Sequence, residues 1–173
     1  MSAQQPSMRS ERHFGDRVVT CFAKRPANVH ALLADAVAAH PGREALICGE
    51  TRLTYAALNA EVGRLAGGLA AKGVCKGDRV ALLLGNGIPF VALSYAIARL
   101  GAIMVPLSIR DQTPGVRHAL TDSEAMLLVA EADAAPIVPP TAETPALLHR
   151  ISIGKADGYT GYETLRSADP VTK

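Results

Sequence analysis

Residues 79–107 read RVALLLGNGIPFVALSYAIARLGAIMVPL, and no other stretch limits the fold so tightly. Arg79 is followed by an unbroken apolar run, Val80 to Leu84, with no polar residue on either face. Such a run predicts a strand buried between two layers. After Gly85-Asn86-Gly87 the apolar residues change period: Phe90, Leu93, Ile97 and Leu100 fall on one face of a helix that Gly101 ends. Ala102 to Val105, closed by Pro106, predicts a second buried strand. Strand, helix and strand joined so closely form a right-handed parallel crossover.

The flanks extend the alternation. Asn28 is placed to cap a helix whose apolar positions are Val29, Leu32, Leu33, Ala36 and Val37, with Pro41-Gly42 as its stop. Residues 44–55, EALICGETRLTY, read as a β-hairpin about Gly49-Glu50. Thr54 caps the next helix, in which Tyr55, Leu58, Val62, Leu65 and Leu69 step by three and four, and Gly73 is its terminal glycine. Gly63, Gly67 and Gly68 each weaken that helix by roughly 1 kcal/mol relative to Ala, a cost offset where a neighbouring element approaches closely. A helix over 114–121, a strand over Ala125–Val129, an Ala- and Pro-rich loop or broken helix over 131–147, a strand Ile151–Ile153 and a turn of helix at Tyr162–Leu165 complete the pattern. The fold class is α/β: a layered helix–sheet–helix subdomain with a mainly parallel sheet, plus an N-terminal β-hairpin. Residues 1–27 are expected to be a partly flexible arm and 28–173 the subdomain.

Composition excludes several functions. The 173 residues are 49% hydrophobic and 20% charged, ordinary for a globular protein. A net charge of +2, 4% aromatic residues and no Trp leave neither the electrostatics nor the stacking surface for nucleic acid. The cysteines, Cys21, Cys48 and Cys75, lie far apart without a CxxC pair, so neither a disulfide framework nor a cysteine zinc site is expected. A reducing, cytoplasmic setting fits. The N-terminus lacks the apolar core of a signal peptide, and the 80–108 stretch is too interrupted to be a transmembrane segment.

Candidate chemistry is thin. Gly85 and Gly87 begin a G-x-G-x-x-G dinucleotide fingerprint, but Phe90 occupies its third glycine place. The acidic residue expected about 20 positions on could only be Asp111, past the strand end. Gly154-Lys155 lacks the leading Gly and trailing Ser or Thr of a P-loop, where His149 and Ala156 stand. Ser94 lies inside a helix rather than on a nucleophile elbow and reads as a packing hydroxyl. His13, His30, His40, His118 and His149 show no metal-ligand spacing with another ligand type. Glu61 and Arg64 make an i,i+3 helix pair, and Asp122 and Glu124 sit at a helix-to-strand junction as solvated carboxylates.

The order of short motifs is more specific than any of these. Leu53-Thr54-Tyr55, Gly77-Asp78-Arg79-Val80, Asn86, Gly101-Ala102 and Val105-Pro106-Leu107 stand in sequence, with the weaker LTDSEAMLLVAE after them. In this the chain resembles the N-terminal part of the AMP-forming acyl-CoA synthetases, the adenylate-forming superfamily, from about residue 28 to 165. The resemblance implies a parent that joins a carboxylic acid, by lean a fatty acid, to coenzyme A through an acyl-adenylate, with ATP, Mg²⁺ and coenzyme A as cofactors. The family's Thr/Ser- and Gly-rich phosphate loop and late Lys have no counterpart up to Lys173. The expectation is therefore a fragment inactive alone, with no catalytic, cofactor-binding or metal residue carried over and no cofactor held. Its expected partners are the parent's small carboxylic acid and, through exposed apolar faces, copies of itself. The alternatives are a stand-alone interaction module derived from that fold, or a dinucleotide-binding domain.

Overall fold

The computed structural model describes residues 7–171. Its centre is a parallel sheet built from β5 (Arg79–Leu83), β6 (Ile103–Pro106), β7 (Leu127–Glu131), β8 (His149–Ile153) and the short β9 (Thr160–Gly161). The strands lie in the order β6-β5-β7-β8-β9, and every pairing is parallel. Alternate residues leave opposite faces of the sheet. Val80, Leu82, Leu127, Val129 and Ile151 join one buried cluster, while Ala81, Leu83, Leu128 and Ala130 join the other.

Helices α1 (Val29–Ala39), α2 (Tyr55–Ala71) and α3 (Ile88–Arg99) cover the first face, with the short α5 (Glu163–Arg166). Helix α4 (Thr113–Ser123) and a 3₁₀ turn over Ala132–Ile137 cover the second. Two antiparallel hairpins precede the sheet: β1 (Met8–His13) with β2 (Arg17–Phe22), and β3 (Glu44–Cys48) with β4 (Thr51–Thr54).

Local signals placed the helix ends well. Asn28 Oδ1 accepts the Ala31 N–H at 2.9 Å and Thr54 Oγ1 the Ala57 N–H at 3.2 Å. Gly73 (φ +85°) and Gly101 (φ +69°) take the left-handed conformation that ends α2 and α3. The glycines inside α2 are matched by close neighbours: a Cβ on Gly67 would lie 1.9 Å from Asp169 O, and one on Gly68 2.1 Å from Leu165 O.

Four expectations need correction. β6 is an edge strand rather than a buried one: Ile103 is 51% exposed, and Pro106, which has no N–H to give, is tolerated because no strand pairs beyond it. β7 begins two residues later than expected, because Glu124 is left-handed (φ 49°) and Ala125 still belongs to the turn beneath α4. On α1, Val29 and Leu32 stay 56% and 51% exposed, and burial falls on Leu33. Finally, residues 8–22 of the arm form the β1–β2 hairpin, closed through Phe14 and Gly15 at positive φ. Its strands carry charge on both faces, so no apolar alternation marks them in the sequence. Residues 1–6 of the arm lie outside the described residues.

Candidate functional site

In an open parallel sheet, ligands bind beyond the carboxyl ends of the strands, where the chain's winding direction reverses. Here β5 leads through α3 to β6 on one side, and the chain then crosses through α4 to β7 on the other. The reversal point lies between β5 and β7. Gly85 follows β5 there, and Glu131 ends β7.

The two residues are joined. The Gly85 N–H donates to Glu131 Oε1 at 3.0 Å, and a Cβ on Gly85 would come within 3.2 Å of that oxygen. A side chain there would ask the carboxylate to give by a few tenths of an ångström. Gly87, by contrast, is extended (φ −173°), a conformation open to any residue, and caps α3 without a side-chain bond. A pocket of about 440 Å³ opens beside the turn, lined by Gly85, Asn86, Phe90, Ser108, Ile109 and Arg110.

This arrangement does not fit a nucleotide phosphate. The amide that would face the anion is already satisfied by a carboxylate of this chain, whose charge repels phosphate at short range. Asp111, the other acidic member of the dinucleotide pattern, is engaged locally. Its Oδ1 accepts the Gln112 N–H at 2.8 Å, and its carboxylate lies against Gly115 in the first turn of α4, near the positive end of the helix dipole.

The other sequence candidates are equally structural. Ser94 Oγ donates to the Phe90 carbonyl at 2.7 Å within α3. Gly154 turns the chain after β8 at φ +87°, and Lys155 is exposed beside it. Arg79 links strand to turn: its Nε donates to Ser123 O at 2.6 Å and its Nη2 to Glu124 Oε2 at 3.2 Å.

A larger groove of about 690 Å³ runs between β4, α2, the start of α3 and α5. Leu53, Ala57, Ile88 and Ile153 make its walls apolar. Beneath it the buried Glu61 accepts from Arg64 Nη2 at 2.5 Å and pairs with Arg166 Nε at 2.6 Å. Burial pushes the Tyr162 phenol up, and the negative charge of Glu61 adds to the shift. The i,i+3 spacing revealed Arg64; Arg166, 105 residues away, was beyond any sequence signal. Two guanidinium groups on one carboxylate hold α5 against α2 and leave no free base for chemistry.

One cluster was missed altogether. Reading along the chain connected none of the five histidines to another ligand type, yet the β1–β2 hairpin gathers Glu11, His13 and Cys21 with their ligand atoms within 4.8 Å of one another. The i,i+2 spacing of Glu11 and His13, which places both on one strand face, was the available signal. Among the described residues, no helix is long and apolar enough to cross a membrane.

A family model described as AMP-binding enzyme matches residues 15–171. Among curated relatives, a long-chain-fatty-acid–CoA ligase of Mycobacterium tuberculosis is 43% identical over 89 residues, 51% of this chain and 18% of its own length. A feruloyl-CoA synthase of Amycolatopsis is 45% identical over 89 residues, again 51% of this chain and 18% of its own. The chain therefore spans about a fifth of the relatives it matches. Among solved structures, the inhibitor-bound N-terminal domain of a Mycobacterium tuberculosis protein, FACL13, superposes with a TM-score of 0.74 at 33% identity, over 84% of this chain and 38% of that one. An anthranilate-CoA ligase bound to anthranoyl-AMP shares the fold, with a TM-score of 0.77 at 23% identity over 83% of this chain and 28% of that one.

Proposed function

We propose, because the chain belongs to the AMP-binding enzyme family, that it is the leading α/β portion of an ATP-dependent, AMP-forming ligase joining a fatty acid to coenzyme A. The observation that carries this reading is the likeness to a solved N-terminal domain at 33% identity across 84% of the chain. The names of the relatives, ligases of long-chain fatty acids and of ferulate, support acid–CoA ligation as the parent's reaction. ATP, Mg²⁺ and coenzyme A are then cofactors of the parent. No residue of this chain is assigned to them, since the turn at the reversal point is filled by its own Glu131.

The role of the chain's own residues is structural. The Glu131–Gly85 bond holds the ends of β5 and β7 together, and the Glu61–Arg166 pair fixes α5 on α2 beside the apolar groove. Neither cluster has a nucleophile within reach of a free base, and the 173-residue chain alone is proposed to lack the ligase reaction. A cytoplasmic location goes with this reading.

ATP–pyrophosphate exchange tests it, measured with a long-chain fatty acid and with ferulate. The assay is run on the 173-residue chain and on a chain extended past Lys173 to the length of the ligases. Exchange is expected from the extended chain only, and more with the fatty acid. Exchange by the short chain overturns its inactivity, and preference for ferulate overturns the substrate. No exchange by the extended chain with any acid overturns the ligase reading in favour of an interaction module.

A further inference from the structure

The β1–β2 ribbon forms a two-stranded sheet of its own, separate from the parallel sheet, and one of its faces carries an unusual set of side chains. Antiparallel pairing sets Arg9 opposite Cys21, Glu11 opposite Val19 and His13 opposite Arg17. Because alternate residues share a face, Glu11, His13 and Cys21 all project to the same side. His13 Nε2 lies 3.0 Å from Glu11 Oε2 and 3.8 Å from Cys21 Sγ.

Those separations resemble the edges of a coordination tetrahedron. With zinc–sulfur and zinc–nitrogen or zinc–oxygen bonds of ordinary length, a sulfur and a nitrogen ligand lie about 3.6 Å apart, and a nitrogen and an oxygen about 3.3 Å. The hairpin holds both pairs made by His13 within a few tenths of an ångström of that and keeps the Glu11 and Cys21 ligand atoms within 4.8 Å of each other, differences that side-chain rotations can close. We propose that Glu11, His13 and Cys21 form a three-ligand site for Zn²⁺, with water at the fourth position.

The donor set selects the metal. A thiolate and an imidazole favour zinc or cobalt over Mg²⁺ or Ca²⁺, which prefer oxygen ligands alone. A thiolate, a carboxylate and a neutral imidazole also balance the charge of a dication. Two arginines face the same carboxylate. Arg9 Nε pairs with Oε1, and Arg25 Nη2 sits 2.5 Å from Oε2. The metal competes with Arg25 for Oε2, whereas Arg9 remains on Oε1 and orients the ligand from outside. Arg17, opposite His13, adds a third positive charge at the turn end of the ribbon. These cations limit affinity and make Arg25 a specific brake on binding.

Cobalt titration of the 173-residue chain under non-thiol reducing conditions tests the site. A near-ultraviolet thiolate-to-cobalt charge-transfer band should appear at one equivalent, be displaced by Zn²⁺ and resist excess Mg²⁺. Cys21→Ser should abolish it, His13→Ala should weaken binding at least about tenfold, and Cys48→Ser and Cys75→Ser should leave it unchanged. Arg25→Ala should tighten binding by up to about fivefold, the factor set by one exposed ion pair. Circular dichroism of each variant guards against unfolding. No band in the parent chain, a band that survives Cys21→Ser, or weaker binding after Arg25→Ala overturns the proposal.

Discussion

His30 is a base placed where protonation is costly. Its Nδ1 is buried and has no hydrogen-bond partner among the described residues. Burial, and then the nearby positive charge of Arg99, hold its pKa below the ordinary 6.5. The unfolded chain therefore takes up a proton at His30 before the folded chain does, so stability falls as pH drops through 6.5 toward the lower folded value. Urea unfolding at pH 7 and pH 5 should show this loss, and His30→Gln should make it shallower. An unchanged slope in the variant would assign the effect to other groups. Arg99 keeps its charge despite burial, donating to Val171 O at 2.8 Å and Asn59 Oδ1 at 2.5 Å. Caps such as Asn28 and Thr54 could be read from sequence because their bonds reach only three residues along the chain. The pairing of Arg99 with Val171 spans 72 residues and leaves no local trace.

Among the elements, α2 is the one whose sequence and packing most visibly oppose each other. Gly63, Gly67 and Gly68 weaken it as a helix, yet the backbone of residues 165–171 lies against them. Val171 N–H donates to Gly63 O at 3.0 Å, which ties the segment down at one end. Gly68→Ala gains helix propensity but drives a Cβ into the Leu165 backbone, so it should cost about 2–3 kcal/mol. Gly63→Ala meets Arg99 Nη1 at 3.2 Å, the end of a side chain, and Val171 O and Pro170 Cβ only at ordinary contact distances of 3.4 and 3.5 Å, and should stay within about 1 kcal/mol of the parent. Chemical denaturation of the two variants compares them directly; equal losses would show that propensity rather than contact decides. The glycine pattern announced that something approaches α2, since no other gain offsets three glycines there. What approaches had no signal, because residues 165–171 carry no periodic pattern of their own.

Across the whole molecule, both faces of the parallel sheet are covered, but apolar side chains remain outside it. Val29 and Leu32 on α1, Ile47 on β3, Ile103 on β6 and Leu148 before β8 are all exposed. Exposed apolar area on this scale promotes association, so the weight-average mass in sedimentation should rise with concentration, and Ile47→Lys should reduce the rise. A constant monomer mass would count against it. The layers were legible from 79–107 alone, because a run apolar on both faces has only one kind of place to go. The reversal point was not, since strand order is settled by which helix crosses which face, and the Glu131–Gly85 bond follows from that order. The packing of residues 165–171 on α2 also governs how the protein is made. Glu61 and Arg166 are separated by 105 residues, so during synthesis α2 leaves the ribosome long before its partner exists. For that interval its glycine-lined groove is uncovered and the Glu61 carboxylate has Arg64 but not yet Arg166 beside it, and chaperone contact with the nascent chain should concentrate there until α5 emerges.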